Sequence, residues 1–237
     1  MESRAVEDFA RIVGAPSFSV GEAALAMSWA VQEAVGAIDF DVIDHLAVLD
    51  DLAGAVPTPT ASGIADFLFG GGGRLRGNTD DYYDPANSFL DSVLRSGRGI
   101  PITLSIVMIE VGARLGVPLA GIGLPAHLVV GEFQGGRIDR FFDPFDGGRT
   151  LDRAGCRALV SRLARRTVVI PEAAFAPMSN LALVERMLNN LKAIHAARTG
   201  DLASVRALAR VMTLRSFLPG VGDSEAAERL RLAAPLN

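Results

Sequence analysis

Three features of the 237-residue chain predict an α+β fold. Apolar residues recur at helical spacing through its first and last parts. Between them lies one strongly patterned helix that opens with Gly99-Ile100-Pro101. Directly after it come three strand-like runs, the last two joined by the turn signal Gln134-Gly135-Gly136. The expected core is a small antiparallel sheet packed against the Pro101–Leu115 helix, with helices flanking it on both sides.

From Ala5 to Leu52, Phe9 and Val13, then Leu25, Met27 and Val31, then Val42, Ile43, Leu46 and Leu49 follow a helical period. Breaks at Gly14-Ala15-Pro16 and near Gly36 divide this stretch into three helices, with Trp29 and Phe40 packed between them. Ala55–Ser62 is a loop whose Thr60 or Ser62 caps a short helix over Ile64–Phe69. Gly70–Gly73 lacks the Gly-Lys-Ser/Thr of a phosphate loop and reads as a turn. Asn78–Pro85 is rich in turn formers, and Asp84, Asn87 or Ser88 can cap a short helix over Ser88–Arg95.

Proline suits the first position of the next helix, because the N–H it lacks has no intrahelical acceptor there. Leu104, Val107, Met108, Val111 and Leu115 form its apolar stripe, and Gly116 stops it. Glu110 falls near that stripe, in a solvated or hydrogen-bonded role. The strands follow at Leu119–Leu124, Ala126–Phe133 and Arg137–Asp143. After Gly147-Gly148 the chain returns to helices over Asp152–Arg165, Ser179–Thr199 and Asp201 to about Phe217, interrupted by a β-rich segment at Thr167–Ile170. Beyond Pro219 a tail with one short helix is expected. The organisation is three-part: a helical region over 1–77, a core over 78–150 and a helical extension over 151–237.

Composition narrows the function. Net charge is −4, without the basic footprint of a nucleic-acid binder. The apolar run near Gly21–Val31 is too short for a membrane span and contains Glu22. The acidic start Met1-Glu2-Ser3-Arg4 lacks the apolar region of a secretory leader. A single cysteine, Cys156, excludes an internal disulfide and fits a reducing compartment, so a cytoplasmic location is expected. Cys156 itself reads as a small buried side chain. His45 and His195 are single histidines without ligand spacing, and no cofactor or metal site is expected.

The hairpin brings a histidine and an aspartate together. A three-residue loop centred on Gly135 sets His127 opposite Asp143, with Cβ atoms about 5 Å apart on one face. A two-residue Gly135-Gly136 loop sets His127 opposite Pro144, with Asp143 a near neighbour. A carboxylate beside an imidazole fixes its tautomer and stabilises its protonated form. Equally, Asp143-Pro144 can end a strand in an Asx turn, with His127 a semi-buried structural residue.

The run YYDPANSFLDSVLRSGRGIPITLSIVMIEVGARLGVPLAGIGLPAHLVVGEF, followed by FFDPFDGG, resembles the core of the SirB1 family of transglutaminase-like proteins. RMLNNLKAIHAARTGDLASVRALARVM resembles the tetratricopeptide-like extension that follows that core. The likeness extends from about Asn78 to Met212 and implies a transglutaminase-like fold with a Cys-His-Asp triad. By position, His127 matches the histidine and Asp143 the aspartate, while the cysteine position falls at about Pro101. The resemblance therefore implies a site without cysteine chemistry, acting as a module for a protein or peptide partner, with Tyr83, Asn87 and Pro101 around its pocket. The alternative is an amide or ester hydrolase or acyltransferase in which His127 activates Ser105 or a water. Ser105 lies one turn deeper than Pro101 on the same helix face; Thr103 points away.

Overall fold

The computed structural model describes residues 3–36, 40–198 and 200–219. The N-terminal helices are α1 (Arg4–Val13), α2 (Val20–Ala34), α3 (Val42–Gly54) and α4 (Ala61–Phe69). Thr60 caps α4 by accepting from the Gly63 N–H. Trp29 and Phe40 stack with ring centroids 6.2 Å apart and planes 8° from parallel. A two-residue strand β1 (Arg76–Gly77), the short helix α5 (Leu90–Ser96) and a second two-residue strand β2 (Arg98–Gly99) lead into α6 (Pro101–Arg114). β1 and β2 pair in parallel, an element too short to carry any sequence pattern.

Strands β3 (Leu119–Leu124), β4 (His127–Gln134), β5 (Arg137–Asp143) and β6 (Arg149–Leu151) form an antiparallel meander in chain order. Then come α7 (Arg153–Ala164), α8 (Asn180–Ala196) and α9 (Leu202–Arg215). The short helix expected beyond Pro219 lies outside the described residues. The architecture is α+β, as the sequence pattern predicts.

Three features depart from expectation. Thr167–Ile170 has no strand partner; it is irregular chain, with Ile170 buried and Val169 exposed. β6 is an additional strand, made possible because Gly147 and Gly148 turn the chain back at φ +66 and +73. Helix α6 is buried on almost every side rather than along one stripe: Pro101–Met108 and Glu110–Gly112 are all buried. It contacts α2, α3 and α4, the face of β3 and β4, and α8, so it is the centre of the core rather than one wall of it.

Glu110 is correspondingly hydrogen-bonded rather than solvated. Its carboxylate accepts from the Ser19 hydroxyl and the Gly21 N–H, both at 2.8 Å, and from Arg114 at 2.7 Å. It thus caps the N-terminus of α2 from across the core, where the helix dipole favours an anion. A Cβ at position 21 would stand 2.7 Å from the Glu110 Cγ, so glycine there admits the carboxylate.

The sheet has two covered faces. Leu128, Val130 and Phe142 join the main core with α6 and the flanking helices. Val129, Phe141 and Ile138 join a second core with Cys156, Leu159 and Val160 of α7. Burial of the fully enclosed Leu104, Ile106, Met108, Phe141 and Phe142 contributes on the order of 1.5–3 kcal/mol per side chain before entropy is set against it.

Candidate functional site: a histidine–aspartate pair beside the first turn of α6

The β4–β5 hairpin turns through Gly135-Gly136, with Gln134 paired to Arg137 and Phe133 to Ile138. The two-residue loop is therefore the one realised. Continued without interruption, that register would place Asp143 opposite Leu128, on the sheet face away from His127. A β-bulge intervenes: Glu132 pairs with Arg140, and Asp139 is the extra residue. Beyond it Val130 pairs with Phe142, so alternation carries Asp143 onto the face shared by Phe141, Val129 and His127. The bulge re-aims one side chain, a common use of such irregularities.

The result is a closed pair. His127 is 5% exposed and Asp143 1%, and His127 Nε2 lies 2.9 Å from Asp143 Oδ1. An ionised carboxylate only accepts, so Nε2 is the donor in this bond and Nδ1 is the ring nitrogen left outside it. Asp143 Oδ1 also accepts from the Phe145 N–H at 3.1 Å. The Asx turn and the pairing with His127 thus coexist in one carboxylate. Phe145 stands edge-on to both His127 and Tyr82, at 6.3 and 5.8 Å between centroids.

His127 enters from a tight turn. Leu124 and His127 pair across Pro125-Ala126, and Ala126 adopts φ +58. A left-handed alanine costs roughly 1–2 kcal/mol, and the strain sits next to the histidine. Arg186 of α8 braces this turn by donating to the His127 carbonyl at 2.8 Å and, more weakly, to the Leu124 carbonyl at 3.5 Å.

A cavity of about 120 Å³ opens beside the pair, walled by Pro101 and Ile102 of α6, Ala126, His127, Tyr82 and Arg186. A second, largely apolar cavity of about 220 Å³ adjoins it, with Tyr83, Ile100, Ala193 and Ile194 among its walls. Tyr82 and Asn190 belong to both. Burial raises the Tyr82 phenol above its ordinary pKa, with Tyr83 adding to the effect and Arg186 opposing it. Burial lowers the Arg186 guanidinium from its ordinary value, against the opposing pull of Tyr82.

The other expected site residues separate. Pro101 is the first residue of α6 and faces the His127 cavity. Tyr83 is 70% exposed and lines only the adjoining cavity. Asn87 lines neither cavity, contrary to the expected pocket role. It is buried and must be satisfied internally. Its amide donates to the Asp81 carbonyl at 2.7 Å and accepts from Asn78 at 2.9 Å, which fixes the loop before α5. None of Asp84, Asn87 and Ser88 caps α5, which starts after Phe89 without a side-chain cap; Asp84 instead caps the single 3₁₀ turn over Pro85–Ser88, accepting from the Ala86 N–H at 2.9 Å.

Thr103 is turned away from the cavity, its hydroxyl donating to the Asn87 carbonyl at 2.8 Å. Ser105 is fully buried, and its hydroxyl has no hydrogen-bond partner, neither His127 nor the helix backbone. Cys156 is buried under the sheet, and its thiol is pushed up to about 12, first by burial and then by Asp143 and Asp152. Among the described residues, no group of three or more His, Cys, Asp or Glu side chains is placed to hold a metal ion. Likewise, no helix among them is long and apolar enough to cross a membrane.

Sequence reasoning passed over Tyr82, Arg186 and Asn190. A usable signal existed for the last two: they stand four residues apart, one turn along a single helix face, polar among Leu183, Met187 and Leu191.

Comparison with known proteins places the chain in a family. The chain is 36% identical over 143 residues to a UPF0162 protein of Xylella fastidiosa, covering 58% of this chain and 50% of that one. It is 30% identical over 148 residues to a UPF0162 protein of Pseudomonas aeruginosa, covering 62% and 53%. It is also 29% identical over 125 residues to F-box only protein 21 of Mus musculus, covering 50% of this chain and 19% of that protein. The chain thus spans about half the length of the bacterial relatives. No solved structure matches it significantly. The profile of the transglutaminase-like superfamily matches residues 43–189, which takes in α4 to α7, the whole sheet and the His127–Asp143 pair, and the chain belongs to that superfamily.

Proposed function

We propose that this chain is a transglutaminase-like protein of the SirB1 kind, carrying a tetratricopeptide-like helical extension, that works without a nucleophilic cysteine as a protein- or peptide-binding module. One observation carries the reading: the residues that α6 turns to the cavity beside His127 are Pro101 and Ile102, and neither carries a nucleophile. The remaining side-chain hydroxyl there belongs to Tyr82, whose raised pKa keeps it a neutral phenol. In this reading the pair is retained as a rigid polar anchor, and the cavities receive a segment of a partner.

A second reading is hydrolysis or acyl transfer, favoured by the 2.9 Å His127–Asp143 bond, which leaves Nδ1 as a base. Water is then the better nucleophile, because Ser105 does not line the cavity. Incubation with a library of peptide amides and esters decides between the two. Binding predicts that peptides co-elute with the protein and return with unchanged mass. Turnover that disappears in His127→Ala overturns the binding reading.

A further inference from the structure

Arg186 is a cation held in place without a counter-charge. Its two hydrogen bonds from Nη2 go to carbonyls, which orient the guanidinium but do not neutralise it. No carboxylate among the described residues forms an ion pair with it, and Tyr82 is the only group opposing the lowering of its pKa. A half-buried guanidinium in this state gains from an incoming carboxylate, to which the hydrogens of Nε and Nη1 can still donate charge-assisted bonds. Beside it, Ile102 occupies the second position of α6, where the backbone N–H has no acceptor within a helix. The positive end of the helix dipole adds to the same preference.

The adjoining cavity has the opposite chemistry. Ile100, Ala193, Ile194 and Ala197 line it, and Asn190 stands on the wall common to both spaces. Arg198 closes its rim, fixed by donation to the Tyr83 carbonyl at 3.1 Å. A ligand filling both spaces must carry a carboxylate and an apolar group on neighbouring atoms. The last residue of a peptide does so, since its carboxylate and side chain branch from one Cα.

We propose that this double cavity binds the C-terminal end of a peptide, with the α-carboxylate on Arg186 and the Ile102 N–H and an apolar last side chain between Ile100 and Ala193. The Asn190 amide is placed to bond the preceding peptide group. The assignment rests on the binding reading above and names its ligand.

Calorimetric titration with the tetrapeptide acetyl-Ala-Ala-Ala-Leu, as free acid and as C-terminal amide, tests it. The acid is expected to bind, and the amide at least about tenfold more weakly, the cost of the charge-assisted bonds. Arg186→Gln should bind the two alike and weakly, while Arg186→Lys retains part of the preference. Because Arg186 also braces the turn before His127, a second variant is informative: Ala193 is exposed at the cavity mouth, so Ala193→Phe should block the apolar space without lowering the melting temperature. A loss of at least about tenfold for the acid is expected there. Equal affinity for acid and amide, or no measurable binding of either, overturns the chain-end assignment. So does N-acetyl-leucine binding as tightly as the tetrapeptide. Equal affinity leaves peptide binding itself standing, whereas cleavage of the amide by wild type removes the binding reading with it.

Discussion

At Pro101, in the proposed reading, a single side chain separates a binding cavity from a reactive one. The first turn of a helix lowers a thiol's pKa, and a neighbouring imidazole lowers it further by ion-pairing with the thiolate. Pro101→Cys should therefore create a reactive thiol if His127 and this position stand in productive relation. At about pH 6.5 an ordinary thiol is on the order of 1% thiolate. The variant is expected to react with iodoacetamide at least about tenfold faster than that, and to lose the advantage when combined with His127→Ala. Cys156 is the internal control: buried, with its thiol near 12, it should stay unlabelled until the protein unfolds. A slow Pro101→Cys thiol, indifferent to His127, would mean that the site is not a triad with one member replaced.

Among the elements, β5 shows where pattern reading stops. Its approximate limits and the presence of a hairpin at Gly135-Gly136 follow from alternation and turn residues, which left the loop length open between two and three residues; the order of the neighbouring elements follows from similar signals. The bulge at Asp139 does not, because no glycine marks it and its cause is distant: Phe141 and Phe142 must each find the correct core. The spacing of Arg186 and Asn190 marks a polar helix face, but what Arg186 bonds was hidden for a related reason, since its hydrogen-bond partners are carbonyls about 60 positions earlier in the chain. The near-total burial of α6 follows from what surrounds it rather than from its own stripe. The bulge makes an asymmetric prediction. Deleting Asp139 removes the extra residue, keeps Glu132 opposite Arg140, and loses only exposed ion pairs with Arg137 and Arg153. The expected cost is within about 1 kcal/mol. Inserting a glycine after Arg140 instead drives Phe141, Phe142 and Asp143 onto the wrong faces, at a cost above about 3 kcal/mol. Urea denaturation compares the two, and equal costs would remove the bulge's role in placing Asp143.

Across the whole molecule, one core cluster runs from α1 through α6 to α9, so a local charge on α8 is felt by the entire fold. His195 is such a group. It is 6% exposed, and neither ring nitrogen has a hydrogen-bond partner. Its pKa is lowered first by burial and then by Arg198, with Asp201 opposing. The unfolded chain returns the imidazole to about 6.5, above its folded value. Between the two values the unfolded state binds more protons, so this contribution to stability is complete above about pH 6.5 and is lost as pH falls toward the folded value. Melting temperatures at about pH 7.5 and about pH 5.5 should therefore differ more in wild type than in His195→Gln. Because the site is only partly desolvated, the expected reduction in that gap is on the order of 2 °C. An unchanged gap would mean that the protonated imidazole finds acceptors inside the folded protein, and the coupling between α8 and the rest of the core would then rest on packing alone.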